Sequence, residues 1–546
     1  GKGEKPSSKR VVLLVQNNIE QSEYIKQRAN RLNEGKQHQP FITQYLRPEV
    51  RLREHQLQGV AWMQHLYSKA PNEVSGCLLA DDMGLGKTLQ LLTLIVGAFE
   101  KDKTMAPALI IAPVSLLDNW ERELQRFFYP SGVSMLKLYG EHLKAAKFTK
   151  HEIPLDLQQR GIKNLLRPGW LGDHKVVLAT YETLRDMEFS LCRQTWSIGI
   201  FDEAQKIKNP AALVTQAAMA LPCNFKVACT GTPVENSLTD LWCLFDLIQP
   251  SALGSLSTFG KTFLRPIENN APDAEALRDQ LKQLIDPQLL RRTKQDVAKD
   301  LPSKLIDQDC KRLSMGARQR NLYEERVSNY ESQRMLLDKV GEQNAVILGL
   351  LHNLKVICAH PQAYQYDLDL VADSPKMKWM LRTLHAIKAR NEKAIIFTEL
   401  RDIQRAIQVV LMDEFGLQAE VINGDTKASD AQTGGRQGII DTYQNQPGFG
   451  VIILSTTAVG FGVNVQAANH VIHFTRPWNP AKEDQATDRA YRIGQTKDVT
   501  VYYPTITAVG MTTFEETLDR LLERKRGLAT DMLSAVGDVD IREFVV

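Results

Sequence analysis

No run among the 546 residues approaches the roughly 20 uninterrupted apolar positions that a membrane span needs, so no membrane role is expected. Cysteine is scarce and badly spaced for pairing: there are seven, an odd number, and no CxxC anywhere. That argues against a disulfide or structural-metal framework and for a reducing, intracellular compartment. Neither sign of charge is in excess, with 67 basic and 64 acidic side chains for a net charge of +3. Patches rather than totals bind nucleic acid, so this balance neither demands nor excludes a phosphate-backbone partner. The opening GKGEKPSSKR is polar and basic with no apolar core behind it, unlike a secretory signal, and the protein is not expected to be secreted. Residues 1–44 read as a leader or truncation remnant, with the folded pattern starting near Tyr45. Short repeats and low-complexity tracts are missing too.

What is present is ordinary globular composition, 43% hydrophobic and 24% charged, in a chain long enough for two to four domains. Short apolar runs alternate with helical segments, which signals α/β architecture with parallel sheets and crossover helices. The first half offers strands at Cys77–Ala80, Ala108–Ala112, Val176–Thr180, Ile198–Phe201 and Lys226–Cys229. The second half offers Ala394–Thr398, Ala419–Ile422, Val451–Ser455, Val471–Phe474 and Thr500–Tyr503. Between them, from about Glu235 to Arg390, the pattern is mostly helical. Two α/β lobes separated by a helical region are expected.

The sharpest local signal is Asp81-Asp82-Met83-Gly84-Leu85-Gly86-Lys87-Thr88, between an apolar strand and a helix. Glycines at 84 and 86 let backbone N–H groups close around phosphate oxygens, and the helix N-terminus adds partial positive charge. Lys87 would reach the β- and γ-phosphates of ATP and Thr88 would hold magnesium. The strict pattern has Gly where this chain has Asp81; alone, the segment also fits a glycine turn capping a helix. A second signal supports the phosphate role. The strand ending at Phe201 runs into Asp202-Glu203, and carboxylates at the carboxyl end of a parallel strand sit where ligands bind. Asp202 can take magnesium through its water shell, and Glu203 can orient and deprotonate an attacking water.

These motifs resemble those of the Swi/Snf-type DNA-dependent ATPases of helicase superfamily two, in the family's order and over roughly Arg51 to Leu533. Segment 81–88 is similar to the first helicase motif, with Asp82 where the family usually has Glu. Leu52–Gln56 resembles the adenine-reading segment, which implies Gln56 as base contact and Met83, Gly84, Leu85 and Gly86 as nucleotide-binding positions. Ile111–Trp120 is similar to motif Ia, DEAQKIKN (202–209) to motif II, and Thr230–Asn236 to motif III. LHNLKVICAHP (351–361) resembles a helical segment before the second lobe. Ile396–Thr398 is similar to motif IV, STTAVGFGVN (455–464) to motif V, and Asp484–Gln495 to motif VI. In motif V the family more often has Arg-Ala-Gly-Gly where this chain has Thr-Ala-Val-Gly (457–460). By resemblance, Ser115, Thr230, Thr232 and Ser455 touch nucleic acid or couple it to the nucleotide. The DEAQ form and Trp478-Asn479-Pro480 are most similar to the bacterial branch.

Motif VI has its own physical reading. Asn479 suits an N-cap and Pro480 the first helical position, so a helix is expected to about Arg492. Gln485, Arg489 and Arg492 then fall at i, i+4 and i+7 on one face, suited to a γ-phosphate across a cleft. A solvated basic face is the commoner fate of such spacing, less so beside a complete first half-site.

The resemblance implies two RecA-like parallel-sheet lobes with helical insertions between them and a C-terminal bracing helix. The expected boundaries are 1–44 leader, 45–300 ATP-binding lobe 1, 301–375 helical linker, 376–510 lobe 2, and 511–546 bracing helix and tail. It implies an ATP- and magnesium-dependent translocase on double-stranded DNA, with protein partners supplying targeting. The process is anti-phage defence, transcription or repair, in bacterial cytoplasm, or in a nucleus for a non-bacterial source. The alternatives are a strand-separating helicase and an ATP-gated binding scaffold with little turnover. Cys358, His360 and His352 lack a second ligand pair and are expected to pack, with no structural metal. Cys223, Cys229, Cys243, Trp120, Trp242 and Trp379 are expected in the core, whereas Trp478 lies beside the expected cleft. Lys144, Lys147, Lys150, Arg160, Lys163 and Arg167 mark a basic insertion, fit either for phosphates or for solvent.

Overall fold

Seven parallel strands carry the first half of the chain. In the computed structural model they are β1 (Gly76–Leu79), β2 (Ala108–Ile111), β3 (Met135–Leu138), β4 (Val176–Ala179), β5 (Trp196–Asp202), β6 (Cys223–Cys229) and β7 (Leu289–Leu290). Their order is β3-β4-β2-β5-β6-β1-β7. The structure describes residues 26–34, 38–297, 299, 301–336, 340–363, 368–426, 435–457, 463–528, 531, 533 and 538–544. The chain divides into two units, Gly1–Val297 and Ala298–Val546.

In the first unit β1, β2, β4 and β5 are buried along their whole length, as expected of a parallel sheet covered by helices on both faces. The five strands expected here all form, and β3 and β7 join them. Strand β3 grows out of the basic insertion and extends the edge of the sheet beside β4. Folded structure also begins earlier than Tyr45. Residues 26–33 form a helix whose Leu32 is buried, and Arg28 donates to Gln288 Oε1 at 2.9 Å.

The second unit is built on β8 (Lys304–Asp307), β10 (Lys393–Phe397), β11 (Val421–Ile422), β12 (Gly450–Leu454), β13 (His470–His473) and β14 (Val499–Tyr502). They are parallel, in the order β11-β12-β10-β13-β14-β8. A separate pair joins β9 (Leu313–Ser314) to β15 (Ile506–Thr507). Segment 301–375 is therefore not a purely helical linker. Its β8 is an edge strand with Leu305 half exposed, held by the backbone ladder to β14 rather than by a buried apolar run, so it left little hydropathy signal. Helices Ala317–Arg334 and Val340–Ala359 follow it.

The C-terminal helix Phe514–Leu528 packs within the second unit. Lys376 pairs with Glu515, Arg476 with Asp519, and Arg526 with Glu483 at 2.6 Å. Among the described residues no helix is long and apolar enough to cross a membrane. Two parallel-sheet α/β lobes of the RecA-like kind are thus both present.

Candidate functional site

Strand register assembles the first half-site. Asp202 is the register partner of Cys229, and Cys229 that of Leu79, so the ends of β5, β6 and β1 lie in one row. Neighbouring strands stand roughly 5 Å apart, which sets loop 81–88 about two strand spacings from the carboxylates. Thr230 leaves β6 between them, its N–H bound to Leu79 O at 3.2 Å.

Gly84 and Gly86 adopt φ of 85° and 79°, left-handed values that glycine takes without steric cost. Helix Lys87–Lys101 starts immediately after. The Lys87 ammonium donates to Asp81 O at 2.6 Å and Asp82 O at 3.2 Å. Thr88 sits half-buried in the first turn of the same helix, and Met83 is half-buried in the loop. Leu85 is buried, and its carbonyl accepts from His55 Nε2 at 2.9 Å and Gln56 Nε2 at 3.3 Å. Burial holds the His55 ring below its ordinary pKa, against that hydrogen bond. Gln56, expected as a base contact, therefore lies against the phosphate loop; a Cβ on Gly86 would collide with its amide nitrogen.

Asp81, the departure from the glycine pattern, is fully buried and clasped by Arg292 at 3.0 and 2.6 Å. Arg292 also donates to His55 O and to Gln90 Oε1. Asp82 N binds Arg292 O, and the Asp82 carboxylate accepts from Lys294 N at 3.0 Å. The chain after β7 is thus laced along the loop, and a carboxylate at 81 is its anchor. Sequence reasoning passed over Arg292: two apolar residues and two arginines after a helix have no spacing that names a partner 211 positions away.

Asp202 is held just as tightly. Its Oδ2 accepts the Trp120 indole N–H at 2.9 Å, and its Oδ1 accepts Glu203 N at 3.0 Å. Burial pushes its carboxyl above the ordinary value, against the indole bond and the positive charge of Lys87. Trp120 is in the core as expected, but it also orients a carboxylate. Glu203 has φ of 51°, a left-handed value a non-glycine residue adopts only when its surroundings enforce it, and it accepts from Gln205 Nε2 at 2.5 Å. Thr230 Oγ1 accepts from Thr232 N at 3.0 Å, which folds the Gly-Pro turn. Ser115 stands exposed in the first turn of helix Val114–Phe127, after β2.

The remaining candidates are in the second unit. Asn479 caps helix Pro480–Thr487 by accepting from Ala481 N and Lys482 N, as expected. The helix stops at Thr487, not Arg492. Past Thr487 the backbone switches from i→i−4 to i→i−3 bonds, with Arg489 N donating to Ala486 O and Ala490 N to Thr487 O, while the Arg489 carbonyl goes to Val465 N and the Ala490 carbonyl to Gln495 Nε2. Gln485 is therefore helical, whereas Arg489 and Arg492 lie in the turn beyond, so the three do not share a helix face. Arg489 is buried and donates to Val463 O at 3.4 Å.

Ser455, after β12, donates to Glu399 Oε2 at 2.5 Å, and Thr456 and Thr457 donate to the same carboxylate. Burial raises the Glu399 carboxyl and these hydrogen bonds together outweigh it, leaving it below its ordinary value. Glu399 was not foreseen. Val459 lies outside the described residues.

Several other residues are accounted for. Cys358 is buried, and the His360 ring binds Leu370 O and Gln362 N. Trp478 packs against Phe514 and Phe544, with ring centroids at 5.8 and 5.1 Å. In the basic insertion Lys144 pairs with Glu141, and Arg167 pairs with Glu152 while lying over the Phe148 ring.

The chain matches the SNF2-related domain over residues 55–363 and the helicase conserved C-terminal domain over 375–494. It is 57% identical to Zorya protein ZorD of Escherichia coli O139:H28, over 98% of this chain and 50% of that protein. It is 36% identical to the putative ATP-dependent helicase/translocase YwqA of Bacillus subtilis, over 89% of this chain and 49% of that protein. A solved Sulfolobus solfataricus SWI2/SNF2 ATPase core in complex with dsDNA is 32% identical over 90% of this chain and 95% of its own, with a TM-score of 0.42. The chain spans about half the length of the curated relatives it matches.

Proposed function

The chain belongs to the SNF2-related family of helicase-type ATPases, and on that premise we propose that it hydrolyses ATP to move along double-stranded DNA without separating the strands. The observation that carries the proposal is the placement of Lys87 and Asp202–Glu203 at the ends of β1 and β5, which flank β6 in one parallel sheet. In this reading the N–H groups of residues 83–88 and the Lys87 ammonium bind the phosphates. Gln56 meets the base, and Glu203 orients the attacking water and accepts its proton. Gln485, Arg489 and Arg492 stabilise the charge that develops on the γ-phosphate during turnover.

The donor set also suits magnesium. Asp202 is a desolvated carboxylate with one N–H on each oxygen and lone pairs to spare, and Thr88 adds a hydroxyl. Such a pair fits a hard cation that keeps most of its own water. When bound, the metal neutralises charge on the β- and γ-oxygens.

Support for movement on DNA comes from the family assignment and from the 36% identical relative named a putative ATP-dependent helicase/translocase. Ser115, Thr230, Thr232 and Ser455 then touch the backbone or couple it to the nucleotide, which makes tracking independent of sequence and sensitive to salt. Protein partners supply targeting, the site of action is bacterial cytoplasm, and the process is defence against invading DNA. Phage plating on cells with and without the intact gene tests that last part.

The decisive assay is phosphate release from ATP with no nucleic acid, single-stranded DNA, duplex DNA and duplex RNA, beside Glu203→Gln. Strong stimulation by duplex DNA, abolished by Glu203→Gln, supports the motor; triplex displacement without strand separation supports translocation. Equal, feeble turnover in every tube overturns it.

A further inference from the structure

In the second unit a cavity of about 480 Å³ opens between β9, the start of helix Ala317–Arg334 and helix Pro375–Ala389. That lies within the roughly 300–1,000 Å³ of small-ligand sites. Its charged lining is Arg312, Arg318, Lys378 and Arg382 against one carboxylate, Asp373. Asp373 stands 3.8 Å from Arg318 and already accepts Asp369 N, and Arg312, Lys378 and Arg382 form no ion pair with a described carboxylate.

The four cations are solvent-exposed, so their mutual repulsion is modest, and Asp369 lies within electrostatic reach of Lys378. Lys378 and Arg382 are one turn apart on a helix, PKMKWMLRTLHAIKA, that contains no Asp or Glu. Like charges at that spacing repel by a few tenths of a kcal/mol. Arg318 sits in the first turn of its own helix, where cations oppose the helix dipole and that turn holds no acidic residue, leaving Asp373 at 3.8 Å as its ion-pair partner. Gly316 adds no side chain, and a Cβ there would meet nothing nearer than Asp373 O at 4.0 Å, so the floor of the cavity is open. An anion entering it relieves each of these repulsions at once.

We propose that this cavity is a second anion site, separate from the nucleotide loop in the first unit, which binds a compact ligand carrying two or more phosphate groups. Arginine forks pair with phosphate oxygens through parallel N–H bonds, and Lys378 adds a mobile point charge. The cavity's limited volume matches a small polyphosphate or phosphorylated metabolite better than an extended nucleic-acid backbone, which shares the same phosphate chemistry.

The test is calorimetric titration with tripolyphosphate at low salt, using Lys87→Ala protein so that the nucleotide loop is disabled. A saturable event is expected that weakens at least tenfold in Lys87→Ala/Lys378→Glu/Arg382→Glu and with added salt, but not in Lys87→Ala/Lys388→Glu. Circular dichroism verifies that each variant is folded. The same proteins are titrated with duplex DNA. No tripolyphosphate event sensitive to Lys378 and Arg382 overturns the proposal, and loss confined to duplex binding assigns these cations to the DNA backbone and overturns it equally.

Discussion

Arg292 holds Asp81 through two hydrogen bonds, at 3.0 and 2.6 Å, and so fastens the base of the phosphate loop to the segment just after β7, the last strand of its sheet in sequence. Breaking one side of a buried pair leaves an uncompensated charge, typically at a cost of about 3–5 kcal/mol. Arg292→Met is expected to destabilise the first unit by that order. Asp81→Asn/Arg292→Met should recover part of the loss. Urea unfolding of both variants checks this; equal stability of wild type and Arg292→Met would show the pair to be dispensable.

Trp120→Phe keeps the ring in the core and removes only the donor to Asp202 Oδ2. Partners that orient a metal-binding carboxylate are commonly worth about 10–100-fold in metal affinity. The magnesium concentration for half-maximal ATPase is therefore expected to rise by that factor, with the thermal midpoint little changed. Unaltered magnesium dependence would mean the indole serves packing alone.

Gly86→Ala puts a side chain at φ of 79° and drives it into Gln56. The left-handed conformation alone costs roughly 1–2 kcal/mol for a non-glycine residue. Nucleotide affinity is expected to fall at least tenfold while far-ultraviolet circular dichroism is unchanged. Binding of a fluorescent ATP analogue at equilibrium gives the answer.

His473, fully buried and stacked on Phe397 and Tyr503, is held down to about 4 by burial, against the attraction of Glu483. Its folded pKa lies below its unfolded value, so the unfolded chain binds the extra proton. The stability this contributes is complete above about 6.5 and is lost as pH falls toward 4, on the order of 3 kcal/mol in all. His473→Phe should flatten the acid limb of the second unit's stability curve between those values. Denaturant melts from pH 7 to 4 are the measurement; parallel limbs in both proteins would exclude His473 as the cause.

The strand–loop–helix at 76–101 and the strand–carboxylate end at 196–203 were legible because each is coded locally: an apolar run, glycines where the backbone must turn left-handed, then a polar pair. The cap at Asn479–Pro480 was legible for the same reason, since N-cap chemistry acts within three residues. The length of the helix it starts was not. After Thr487 the backbone tightens to i→i−3 bonds and Val465 and Gln495 tie down the Arg489 and Ala490 carbonyls, and nothing in the helical spacing of Gln485, Arg489 and Arg492 announces that. Strand β8 escaped because its ladder to β14 is backbone bonding, which carries no side-chain pattern.

Local chemistry thus determined the two parallel sheets, the phosphate loop and the acidic pair, because dihedral preference and alternation of apolar segments act over a few residues. Only tertiary structure decided that Asp81 answers to Arg292, that Trp120 aims Asp202, that Ser455 to Thr457 converge on Glu399, and that four cations ring a cavity. Each joins groups distant along the chain, and desolvation on folding is what makes such polar groups choose a partner at all.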